Sequence, residues 1–276
     1  MWSRSGRLST PTGYGATLWT MTSAQSRAEA AYLRMLDGVA QRAARMEGRV
    51  IASHWPFVGS DYRRLLVVGQ ALAGWDDETS PALWRPMDLL ADDGPRRVLE
   101  LSQRWAAAKP EPISEPLRTR SGSGFWKISE RVVMALEPTG AGPWFSRSAW
   151  WNLFPLGWGD RVDDSRSPSG PLWMAQVDHV ADLFWSTLEV LDPERVIILA
   201  GKGYWDPMAG PLGLADLERK RKPLIAAGLR DGRTFIWSYH PQGRGLGARD
   251  AFAEAIVNAV REVEAIGGLE SGRSGP

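Results

Sequence analysis

Apolar residues recur along this chain with two different periods, and the switches between them divide it into elements. Ala31, Leu33, Leu36 and Val39 give residues 23–46 a helical stripe, with Ser23 as the cap and Gly48 just past the end. Residues 96–108 and 125–136 read as further helices. Residues 172–190 carry the strongest helical pattern, with Trp173, Val177, Val180, Leu183, Phe184 and Leu188 on one side, and 248–266 form a terminal amphipathic helix. Between these lie short apolar runs at 64–68, 149–154 and 195–200. The run Arg-Val-Ile-Ile-Leu-Ala at 195–200 is of the kind found in buried parallel strands. Residues 223–228 and 234–239 read as two strands across an Asp231-Gly232 turn. Residues 69–93 look irregular, and 109–122 form a Pro-rich surface loop.

Helices alternating with buried strands predict an α/β fold. The expected form is a three-layer sandwich, with a central, mostly parallel sheet of four to five strands flanked by helices. No internal repeat and no long linker interrupts it. A single domain over 22–266 is expected, with a flexible arm at 1–21 and a flexible tail at 267–276.

Composition narrows the chemistry. Hydrophobic residues make up 43% of the 276, enough for a substantial core. The formal net charge of +1 does not mark a strongly basic nucleic-acid binder, although a local basic patch is compatible with it. Cysteine is absent, which excludes disulfides, thiol nucleophiles and cysteine-held metals. Histidines 54 and 179 have no ligand partners at metal spacing, and His179 is expected on a helix surface, so no metal and no cofactor are expected. No apolar run is long enough to span a bilayer, and the first residues lack the apolar segment of a secretory signal. The expected compartment is the cytoplasm, the expected state a monomer, and no membrane partner is expected. The fifteen tryptophans read mainly as core or pocket wall.

Polar groups collect where the strands end. Gly69 and Gln70 follow the first strand, Asn152 sits near the end of the second, Gly201 follows the third, and Ser238, His240 and Pro241 close the last. Convergent strand ends are how an open α/β sheet builds a pocket. Each residue also has a plain structural role. Asn terminates strands, glycine suits any strand-to-helix turn, and a strand-end histidine can be satisfied by backbone. Gly201-Lys202-Gly203 lacks phosphate-loop spacing, and Ser238 with His240 lacks a third triad member. The basic run at 219–222 reads as a solvated helix end unless it flanks the pocket.

Four motifs in order resemble the uracil-DNA glycosylase superfamily over about residues 62–262. They are Val67-Val68-Gly69-Gln70-Ala71, Trp151-Asn152-Leu153-Phe154-Pro155, Val196-Ile197-Ile198-Leu199-Ala200-Gly201-Lys202 and Ser238-Tyr239-His240-Pro241-Gln242-Gly243. The resemblance implies that family's three-layer fold and hydrolysis of the N-glycosidic bond of a flipped, damaged pyrimidine in single- or double-stranded DNA. It makes His240 the stabiliser of the departing base and Gln70, with Asp76 or Asp77, the holder of the water. Asn152 becomes the reader of the base edge and Trp84 the stacking aromatic. Gly69, Ala71, Ser238, Pro241 and Gln242 would line the substrate. Leu246 or Arg244 would fill the vacated duplex position. Gly243, Arg244 and Arg249 would approach phosphates.

The chain departs from the family pattern at the water-orienting position. Active members carry Asp, Asn or Glu there, and this chain has Gln70 and Ala71. The loop's usual proline is missing, and Gln242 replaces the usual Ser after His-Pro. Two alternatives follow. One is a catalytically impaired module that binds nucleic acid or a nucleobase without cleavage. The other is a small-molecule enzyme on an unrelated doubly wound sheet.

Overall fold

The computed structural model describes residues 23–71, 82–108, 124–140, 142–159, 170–241 and 249–271. Its elements in chain order are α1 (Ser23–Ala40), β1 (Ile51–Ser53), β2 (Phe57–Val58), β3 (Leu65–Ala71), β4 (Ala82–Trp84), α2 (Gly94–Ala108), α3 (Gly124–Leu136), β5 (Ser148–Phe154), β6 (Leu156–Trp158), α4 (Pro171–Leu191), β7 (Arg195–Ile198), α5 (Lys202–Met208), β8 (Glu218–Arg219), β9 (Leu224–Arg230), β10 (Arg233–Ser238) and α6 (Arg249–Ser271). Among the described residues no helix is long and apolar enough to cross a membrane.

The main sheet runs β2-β5-β3-β7-β10-β9-β8. Its centre, β5-β3-β7-β10, is parallel throughout, while β2, β9 and β8 pair antiparallel at the flanks. The sheet is therefore mixed and seven-stranded rather than mostly parallel with four or five strands. The two-residue hairpin turn at Asp231-Gly232, with φ of 49° and 72°, reverses the chain and fixes β9 antiparallel to β10. A second sheet, β4-β1-β6, is wholly antiparallel. It lies in segments whose three-residue strands carry no period.

Side-chain alternation sorts the strands into two cores. Leu66, Val68, Trp151, Leu153, Val196, Ile198, Phe235 and Trp237 pack with α1 and α4. Leu65, Val67, Trp150, Ile197, Leu199 and Ile236 pack with α3 and α6. Helices thus cover both faces, as an α/β sandwich requires.

Several boundaries differ from the sequence expectation. The first helix ends at Ala40, where the Arg42 guanidinium donates to the Gly38 carbonyl at 3.0 Å, and Ala43–Met46 continues as a 3-10 turn. β3 runs through Gly69, Gln70 and Ala71, because pairing with β5 continues to Phe154. The terminal helix extends to Ser271, past the expected end at 266. His179 is half-buried instead of lying on an open surface. A Cβ on Gly38 would stand 2.9 Å from both His179 Nε2 and the Ala175 carbonyl, so glycine lets α1 and α4 approach closely there.

Candidate functional site

In the parallel centre the chain leaves β3 toward β5 on one side and leaves β7 toward β10 on the other. The carboxyl ends of β3 and β7 therefore form a topological switch point, where doubly wound sheets open a crevice. The strand-end residues predicted from sequence divide between its two flanks.

Asn152 occupies the β5 flank and is 3% exposed. It pairs in register with Gly69. A Cβ on Gly69 would fall 2.2 Å from Asn152 Oδ1 and 3.3 Å from a Phe125 ring carbon. The missing side chain at position 69 is what lets the amide lie across β3, beneath the first turn of α3. Among the described residues no hydrogen bond engages that amide. A buried amide left open to a partner is costly unless something pairs with it.

His240 occupies the β10 flank, half-buried. Gly201, at φ 82° and ψ 172°, adopts a conformation that a side chain would strain. A Cβ there would lie 3.2 Å from the His240 backbone nitrogen. Gly201 also donates to the Ser238 carbonyl at 3.0 Å and accepts from Trp237 Nε1 at 3.2 Å, which ties the turn after β7 to the end of β10.

The start of α3 bridges the flanks. Phe125 touches the Gly69–Asn152 side, and a Cβ on Gly124 would fall 2.7 Å from the Pro241 carbonyl. Beneath Asn152, and on the same face of β5, lies Trp150. Its ring stacks on His54 at 4.9 Å and 6°, and meets Phe125 at 6.2 Å and Trp126 at 4.8 Å. His54 is fully buried, with Nδ1 3.0 Å from the Trp55 carbonyl. Its Nε2 has no partner among the described residues. Burial pushes its pKa down to about 4, so the ring is neutral at pH 7. The sequence offers no metal-spaced partner for His54, and its stacking on Trp150, far along the chain, connects it to the site.

Other expected members lie elsewhere. Trp84 is 5% exposed in the core of the second sheet, with Nε1 donating to Ser53 Oγ at 2.9 Å. Its faces are spent on packing, so it is not a stacking platform for a base. Ser238 is fully buried, its hydroxyl 3.0 Å from the Tyr239 carbonyl and 3.4 Å from that of Ile198. It fastens backbone rather than lining substrate. Gln70 is half-buried, and alternation directs it to the face of Val68, opposite Asn152. Its side chain therefore does not join the Asn152 flank. Ala71 pairs with Phe154 at the last position of β3. Arg249 opens α6 and is exposed. Asp76, Asp77, Gln242, Gly243, Arg244 and Leu246 lie outside the described residues.

A cavity of about 310 Å³ opens between β8, β9 and α6, against Leu217, Lys220, Gly228, Leu229, Glu262 and Ile266. It borders none of the strand-end residues. Among the described residues no group of three or more His, Cys, Asp or Glu is placed to hold a metal ion. No protein-family model matches this chain, and no curated protein matches it.

Proposed function

We propose that this protein is a uracil-DNA glycosylase-like hydrolase acting on a flipped, damaged pyrimidine in DNA. The observation that carries the reading is the seating of the Asn152 amide on Gly69 at one flank of the switch-point crevice, with His240 held against Gly201 at the other. An amide offers one donor and one acceptor edge, the complement of a pyrimidine's carbonyl and imino groups. As the bond from sugar to base breaks, the electron pair stays on the base. An imidazole N–H aimed at that charge lowers the barrier. Water then adds to the sugar carbon and loses a proton. Asp76 and Asp77, in the segment that follows β3, are the carboxylates nearest in sequence to accept it.

A second reading keeps the pocket and drops the chemistry. Ala71 at the end of β3 supplies no carboxylate where active members of the resembled family carry a polar residue. A binding module that holds DNA or a base without cleavage follows. In that case Ala71→Asp should create activity.

Single-turnover release of uracil from single- and double-stranded DNA, with protein in excess, tests the proposal. The wild type should release base, and His240→Ala should slow release by roughly 10² or more. Folded wild-type protein that releases no deaminated or oxidised pyrimidine would contradict it.

A further inference from the structure

The sequence suggests a solvated helix end at residues 219–222. The structure instead has β8 and the turn leading into β9, and this segment runs alongside the His240 flank. The Tyr239 N–H donates to the Pro223 carbonyl at 2.9 Å, tying the turn to the residue before His240. Lys222 Nζ lies 5.1 Å over the Tyr239 ring. The Arg219 guanidinium lies 4.6 Å over the ring of Trp205. Trp205 belongs to α5, whose cap is the same Gly201 that presses on His240. Two cations on this segment therefore rest on two different aromatic supports, one of them next to His240 in sequence.

Aromatic faces hold these cations in place without neutralising them. Among the described residues Arg219, Arg221 and Lys222, all exposed, form no ion pair. Lys220 differs. It meets Glu218 at 2.9 Å and Glu262 at 3.3 Å, and those carboxylates raise its pKa. Among the described residues three exposed cations without an ion pair thus fall on one four-residue segment, on a molecule whose net charge is only +1.

We infer that Arg219, Arg221 and Lys222 form a phosphate rail that carries the nucleic-acid strand away from the crevice on the His240 side. This rests on the glycosylase-like reading. A base drawn into the crevice brings its own sugar–phosphate over the rim, so the flanking phosphates must cross there. The rail binds phosphate and reads no sequence.

The test compares wild type with the triple variant Arg219→Gln/Arg221→Gln/Lys222→Gln on a labelled, undamaged oligonucleotide, single-stranded and duplex. Affinity is measured from roughly 50 to 200 mM salt. The slope of log affinity against log salt should shrink in magnitude by about 2 to 3, one increment per lost phosphate contact. The charge-keeping variant Arg219→Lys/Lys222→Arg should retain the wild-type slope, which separates lost charge from a damaged fold. An unchanged slope in the triple variant overturns the rail while leaving base release, assayed on the same preparations, to stand. Polyglutamate that competes as well as the oligonucleotide at equal charge overturns the nucleic-acid assignment. Wild type with no affinity for either oligonucleotide at roughly 50 mM salt overturns the rail and the reading beneath it. A reduced slope together with no base release supports the rail and removes only the hydrolase.

Discussion

Position 69 decides whether the Asn152 amide can lie where it does. A methyl group at Gly69 would meet Asn152 Oδ1 at 2.2 Å and must push it aside. Gly69→Ala should therefore abolish base release under single-turnover conditions while leaving the circular dichroism spectrum unchanged. Overpacking there should cost about 1–3 kcal/mol in denaturant unfolding. Adding Asn152→Ala should recover that stability without recovering activity, because the methyl then has room. If Gly69→Ala leaves activity intact, the amide is not the base reader. Gly69, Asn152 and His240 were legible as candidates because each is a polar or glycine residue in or just after an apolar run. Trp84 and Ser238 were not legible as core. Their burial depends on Ser53 and Ile198, partners far away in sequence. Gln70 lies inside β3 because strand pairing continues through it, and alternation sets its side.

Among the elements, the shortest were the hardest to foresee. β1, β2, β4 and β6 are two or three residues long and draw their stability from pairing across the fold, not from a local pattern. Yet the connection from β1 to β2 supplies His54, whose stacking on Trp150 backs the wall beneath Asn152. This packing makes stability depend on pH. The buried ring has a pKa of about 4, against 6.5 for the free side chain. Below 6.5 the unfolded chain takes up a proton that the folded chain refuses. Stability is therefore full above pH 6.5 and is lost as pH falls toward 4. The His54 contribution should fall by about 2 kcal/mol between pH 7 and 5. His54→Phe keeps the stacking and removes the titration. The difference between its urea-unfolding curves and those of wild type should isolate the effect, and parallel pH profiles would count against it. The long helices and the three parallel strands at 64–68, 149–154 and 195–200 were readable because each carries a full period of buried residues. Residues 219–222 read as a helix end because charged residues show no preference visible in a four-residue run.

At the scale of the whole molecule, strand order converts distant motifs into neighbours. β5, β3, β7 and β10 lie side by side and parallel, so their carboxyl ends share one edge. Sequence predicts the layers, the parallel strands and the antiparallel β9–β10 hairpin, but not β2, β8 or the second sheet. Those depend on which edges remain open after the parallel centre forms. In the glycosylase-like proposal the two flanks of the switch point embrace a single base. Free uracil titrated into isotope-labelled protein and followed by NMR at the Asn152 side-chain amide and the His240 imidazole decides it. Both signals should shift along one binding curve, and both responses should vanish in Gly69→Ala. Saturating uracil that moves neither group, or moves them with separate affinities, would contradict it.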